Sequence, residues 1–222
     1  LSPINRKELV DRTIKTTAGT IGAEVADSGK YTVALAPEAM STLLAIFCGV
    51  FSSDNAQKGL SLLKGKEGEV IASPAVTLID DPFYPGCTAQ TSFDAEGVAT
   101  RKKSVIENGV LNTLLYNLST AAKAGCKSTG NACKGSYAGA VSIAPYSFYL
   151  KPGEASQEEV FRQMGSGLYI TELNGGHAGA NAVTGDFSLQ SAGYLIEDGK
   201  LGRAVRGFTM ADNFFDLLKK IT

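Results

Sequence analysis

Groups able to do chemistry are scarce in this sequence. Its one histidine, His177, lies in the run Asn174-Gly175-Gly176-His177-Ala178-Gly179-Ala180, and its four cysteines are Cys48, Cys87, Cys126 and Cys133. A zincin-type site needs two imidazoles on one helix, a third ligand and a glutamate base, which the chain cannot assemble alone. The cysteines form no C-x-x-C pair and the closest two are seven positions apart. That matches no regular zinc module, so reduced thiols are expected, with Cys48 acting as a small hydrophobe. No G-x-S-x-G elbow and no P-loop occur, and the glycine-rich run around His177 lacks dinucleotide spacing. His177 is therefore expected in a flexible surface loop. The sharper alternative pairs its imidazole with a cysteine thiolate.

Three charged clusters come next. Lys123, Lys127 and Lys134 surround a loop in which Ser128, Thr129 and the Gly130 backbone offer donors, a weak anion signal. Arg101, Lys102 and Lys103 read as charges protecting an edge strand. Asp80, Asp81, Asp94 and Glu96 read as turn-forming, solvated acids, with metal ligation as the alternative.

The elements that must position these groups follow from pattern. Ser2 and Pro3 predict an N-cap and first residue for a helix with Leu9, Val10, Thr13 and Ile14 on one face. Tyr31, Val33 and Leu35 alternate as in a strand. Pro37 then opens a helix through Phe51 that is apolar over most of its circumference and is expected to be buried on nearly every side. A short helix is expected near Gln57–Leu63, a strand at Val76–Asp80 and a rigid turn at Asp81–Gly86. Asn108-Gly109 and Asp198-Gly199 predict two tight hairpins in matching surroundings. Between them Ser119 is expected to cap a helix ended by Gly125. Ser156 with Glu159 predicts a capping box for a helix ended by Gly165. Gly167–Leu173 reads as a strand, and Phe208–Thr222 closes with a helix. Helices come early and hairpins late, without βαβ alternation, so the class is α+β with a largely antiparallel sheet and a buried helix in the N-terminal third.

Composition bounds the partners. The 222 residues, 44% hydrophobic, suit a single domain over 1–222. Twenty-one basic against 22 acidic residues leave a net charge of −1, without the excess that nucleic-acid binding requires. The longest apolar run, Leu43 to Phe51, is far short of the roughly 20 residues that span a bilayer. No signal-peptide layout is present at the start, so a cytoplasmic location is expected. The chain opens on Leu1 without a Met, as a fragment of a longer protein would.

The segments FDAEGVAT (93–100), VIENGVL (105–111), LYNLSTAAKAG (115–125), KSTGNA (127–132), GLYITEL (167–173), VTGDFS (183–188) and YLIEDGKL (194–201) resemble, in order, the C-terminal region of the TldD/PmbA family. The resemblance covers most of the chain from about Tyr31. It implies kinship with a cytoplasmic metallopeptidase of two related subunits, TldD and TldE (also called PmbA). That peptidase degrades unfolded or small peptides, matures ribosomal peptide toxins and removes antitoxins; older descriptions call it a modulator of DNA gyrase. In TldD the motif H-E-x-x-x-H holds zinc and supplies the base. Aligned here, Ala45 and Val50 occupy the histidine positions and Ile46 the glutamate position. VTGDFS further resembles the PmbA pattern.

By resemblance, then, this chain is expected to hold no metal, to leave zinc to a TldD-like partner, and to pair with that partner or with itself. Peptide is the implied substrate. Ser128, Thr129, Gly130, Asn131, His177, Gly185 and Asp186 are candidates for lining a peptide path or interface, although turn geometry serves each of them equally well. An N-terminal domain and a C-terminal tail, where TldD carries a cysteine ligand, are expected to be missing. Two alternatives stand beside this reading: an autonomous hydrolase using His177 with a cysteine or an acidic metal site, and a stand-alone homodimeric binding protein of the same fold.

Overall fold

The computed structural model describes residues 5–87 and 90–222. In chain order the elements are α1 (Arg6–Gly19), β1 (Val33–Leu35), α2 (Pro37–Phe47) running into a 3-10 turn (Cys48–Phe51), α3 (Ser53–Gln57), β2 (Leu78–Asp80), β3 (Lys103–Glu107) and β4 (Val110–Leu111). There follow α4 (Leu118–Ala124), β5 (Ala132–Cys133), β6 (Ser142–Ile143), β7 (Phe148–Leu150), α5 (Gln157–Met164), β8 (Gly167–Asn174), α6 (Gly176–Gly179), β9 (Asp186–Glu197), β10 (Lys200–Asn213) and α7 (Phe214–Lys220). Among the described residues no helix is long and apolar enough to cross a membrane.

The chain groups into two compact units, each assembled from separate stretches. The first draws on residues up to Met40, Glu154–Gly175 and Leu189–Met210. Its sheet has the order β1-β8-β9-β10. β1 pairs parallel with β8, Val33 opposite Leu168, while β8 and β9 are antiparallel with a bulge between Ile170 and Glu172. The close approach of β9 to β8 requires Gly193, because a Cβ there would lie 2.0 Å from the Tyr169 carbonyl oxygen. The Asp198-Gly199 hairpin forms as expected, both residues at positive φ (51° and 70°). The Ser156–Glu159 capping box also forms. α1 is capped by Asn5, whose side chain accepts from the Glu8 amide at 3.2 Å; the expected cap at Ser2 and Pro3 lies outside the described residues. Its apolar face, Leu9, Val10 and Ile14, is exposed.

The second unit comprises Ser41–Gly153, Gly176–Ser188 and Ala211–Thr222. Its sheet has the order β4-β3-β2-β7, antiparallel throughout, and the β5–β6 hairpin is a separate ribbon. The β3–β4 turn is the expected Asn108-Gly109 (φ 49° and 85°). In the core Phe47 stacks on Phe214 at 4.5 Å and meets Phe187 edge-on at 6.0 Å, geometries that add to simple burial.

Several expectations are corrected. The α2 helix is not enclosed on nearly every side: Leu43, Leu44, Phe47, Val50 and Phe51 are buried, but Ser41 and Ala45, one turn apart, are exposed. The short helix lies at Ser53–Gln57 rather than Gln57–Leu63, because Gly59 at φ 75° ends it and Ser61 turns back to donate to the Val50 carbonyl at 2.6 Å. Only Leu78–Asp80 of the Val76–Asp80 run is strand. α4 is capped by Asn117, in a capping box with Thr120, and Ser119 lies inside the helix. The final helix begins only at Phe214, since β10 extends to Asn213, which caps it. Finally, Arg101–Lys103 protect no edge: β3 is flanked by β2 and β4, and Lys103 faces inward.

Candidate functional site

α2 and the 3-10 turn that follows it bring Ala45, Ile46 and Val50 to the positions where the resemblance expects a metal motif. Ala45 is exposed, Ile46 half-buried and Val50 buried. None of these side chains carries a lone pair to give a cation, so the residues present do not fit a zinc ion. Ile46 lies directly over Gly176, where an added Cβ would be 2.5 Å from Ile46 Cδ1. That contact sets His177, exposed on the single turn α6, one residue from the point where Ile46 touches the chain. The sequence pattern alone missed this meeting; the Gly175-Gly176 pair was its only trace.

Beside α6 lies an open concavity of about 680 Å³ lined by residues 178–182 and 186–188. Asp186 on its rim is held below its ordinary value by the Asn213 side-chain amide, 2.9 Å away, and by Thr184. Gly185 sits at φ 87°, and a Cβ there would meet the Phe215 ring at 2.6 Å. His177 and Asp186 are thus exposed on this stretch of chain, whereas Gly185 is buried beneath the Phe215 ring.

Ser128, Thr129, Gly130 and Asn131 line neither this concavity nor the other prominent one, which lies between residues 62–71 and α7. They are buried. Ser128 Oγ donates to the Tyr116 carbonyl at 3.1 Å, and Thr129 Oγ1 donates to Asn131 Oδ1 at 2.8 Å while accepting from the Tyr116 amide at 2.7 Å. These hydroxyls are occupied inside the fold, which overturns the anion signal of this loop. Asn131 Nδ2 donates to Asp80 Oδ2 at 2.7 Å, which Lys103 Nζ also approaches at 2.9 Å, and Asp80 Oδ1 accepts from the Tyr146 amide at 2.7 Å. Burial, followed by the charges of Asp94 and Asp80, pushes the Tyr146 hydroxyl up to about 12. Burial pulls the Lys103 ammonium below its ordinary value even though Asp80 opposes it.

The acids read as solvated are therefore largely internal struts. Asp80, Asp81 and Asp94 are buried, and Asp94 accepts from the amides of Glu96, Val98 and Ala132. The turn-forming half of that expectation holds at Asp81 and Asp94. Among the described residues no group of three or more His, Cys, Asp or Glu is arranged to hold a metal ion. Among the described residues no disulfide is formed. Burial raises the Cys48 thiol above its ordinary value, and its Sγ donates to the Ala45 carbonyl at 3.2 Å, which suits packing better than nucleophilic attack.

Comparison with known proteins agrees with this layout. Residues 28–222 match the model of the PmbA/TldA metallopeptidase C-terminal domain. The chain is 32% identical, over 97% of its length and 47% of the other, to a metalloprotease of Methanothermobacter thermautotrophicus. It is 30% identical to the Escherichia coli metalloprotease PmbA over 86% of this chain and 40% of that one. A crystal structure from Thermotoga maritima described as a modulator of a DNA gyrase superposes with a TM-score of 0.92 at 43% identity, over 99% of this chain and 50% of that one. TldE from Thermococcus kodakarensis superposes at 0.87 with 29% identity, over 97% of this chain and 49% of that one. The chain spans about half the length, or less, of the curated relatives it matches.

Proposed function

This chain belongs to the PmbA/TldD metallopeptidase family, and on that premise we propose that it is the PmbA-like, non-zinc-binding subunit of a two-subunit peptidase. The zinc would reside in a TldD-like partner, and this subunit would complete the path along which peptides are held for maturation or degradation. One observation carries the reading: the helix face that would present a metal motif presents Ala45 and Ile46, with Ile46 packed against Gly176 instead of reaching for a ligand. A carboxylate at position 46 would have to be desolvated against backbone carbon, which costs several kcal/mol without a partner.

Mixing the purified chain with a TldD-type subunit and following cleavage of an unstructured peptide tests this. The mixture is expected to gain activity that neither component has alone, and metal analysis is expected to find zinc in the partner only. Stoichiometric zinc in the isolated chain would refute the assignment. Chelator-resistant cleavage by the chain alone, lost in His177→Ala, would move the chemistry to His177.

A further inference from the structure

The β4-β3-β2-β7 sheet has one closed edge and one open one. β4 is covered by residues 68–70: Val70 bridges Val110, the Leu111 amide donates to the Glu69 carbonyl at 3.0 Å and the Gly68 amide to the Leu111 carbonyl at 2.7 Å. β7 ends the other side. The Asp81 amide donates to the Ser147 carbonyl and the Lys151 amide to the Thr77 carbonyl, so residues 147, 149 and 151 turn their main chain toward β2. Phe148 and Leu150 therefore turn theirs outward. Among the described residues no further main-chain hydrogen bond reaches those outward groups.

The side chains above this edge form a shelf. Phe148 points inward onto Phe51 at 5.4 Å, so Tyr149 lies on the opposite face, where its ring meets Tyr84 at 4.8 Å. Tyr84 and Phe83 are 44% and 46% exposed. Lys102 stands over the Tyr149 ring at 5.9 Å but is already paired with Asp81 at 3.0 Å, so the shelf offers no free charge and favours a neutral, apolar or aromatic group.

The size of the edge selects its occupant. Pro145 and Pro152 bracket it, and an added strand meets only two outward residues, giving about four main-chain hydrogen bonds. A stable dimer covers roughly 20–30 residues a side, far more than this edge supplies. The geometry points to β7 as a docking edge for an extended peptide of about five residues, read through its main chain, with one apolar or aromatic side chain resting on Tyr149 and Tyr84. This deepens the reading of the chain as a peptidase subunit and rests on it.

The test is a binding titration of acetyl-Thr-Val-Phe-Val-Thr-amide, whose phenylalanine would lie opposite Tyr149, alongside the same peptide N-methylated at both valines. Leu150→Pro removes an outward N–H that the fold does not use, and Tyr84→Ser removes half the shelf. Each variant is expected to weaken binding about ten-fold or more, and the N-methylated peptide is expected not to bind. Equal affinity of the two peptides, or of wild type and a Leu150→Pro variant that melts normally, would overturn the proposal. So would a wild-type dimer that Leu150→Pro converts to monomer, which would give the edge to a second copy. If Leu150→Pro abolishes binding while mixing with a metal-bearing subunit yields no activity, the docking edge stands and the subunit reading falls. The reverse pair of results removes the docking edge alone.

Discussion

Leu44 and Ala45 are adjacent on α2 yet face opposite environments, one 5% exposed and the other open to solvent. Leu44→Ala should cost roughly 2–5 kcal/mol as a core cavity, whereas Ala45→Ser should stay within about 0.5 kcal/mol, both read from urea unfolding. A near-neutral Leu44→Ala would contradict the packing described for α2. Asp80 makes a larger demand: Asp80→Ala would leave the buried Lys103 ammonium unpaired and is expected to cost roughly 3–5 kcal/mol. Neighbouring Asp81 predicts a pH dependence. Burial alone would raise its carboxyl, but Lys102, the Phe83 amide and Tyr149 hold it below the ordinary 3.8. A lowered folded value stabilises above the unfolded one and is lost as pH falls through the folded one. The stability gap between wild type and Asp81→Asn should thus be flat above about pH 5 and close below pH 4. The burial of Leu44 was legible from the apolar pattern of α2, but the acid network was not, because Asp80 finds Asn131 and the Tyr146 amide 51 and 66 residues away in sequence. An acid beside a proline turn looks solvated until such distant partners are placed against it.

Short-range signals, by contrast, translated directly into elements. Asn-Gly, Asp-Gly and the Ser156–Glu159 box each act within four residues, so their outcome depends little on the rest of the fold. The tertiary surroundings decide only how costly each position is to change. Gly97 and Gly109 both have positive φ, 79° and 85°, but a Cβ at Gly97 meets nothing while one at Gly109 would lie 2.5 Å from the Ala72 carbonyl oxygen. Gly97→Ala should lower stability by roughly 1–2 kcal/mol, the backbone cost alone, and Gly109→Ala by clearly more, as thermal melts would report. Where two residues could serve one role, local reading chose wrongly: Ser119 and Asn117 are both good caps, and the reciprocal bond from the Asn117 amide to Thr120 Oγ1 settles it for Asn117. The interior position of β3 was equally hidden, since its neighbour β2 lies more than twenty residues upstream across an irregular segment.

At the level of the molecule, the absence of donors at Ala45, Ile46 and Val50 predicts that chelator leaves the melting temperature unchanged, which scanning fluorimetry with and without EDTA would check. A drop of several degrees would reveal a structural metal held elsewhere. Family and class were legible because ordered segments such as VIENGVL and GLYITEL fall on hairpins and strands that the fold cannot do without. The division into two interleaved units was not, because neither corresponds to a continuous stretch of chain. β1 illustrates the consequence: its partner β8 is encoded about 135 residues later. At 5–20 residues per second, a nascent chain leaving the ribosome would carry Val33–Leu35 unpaired for roughly 7 to 27 s, time during which chaperones rather than sheet partners must shelter it.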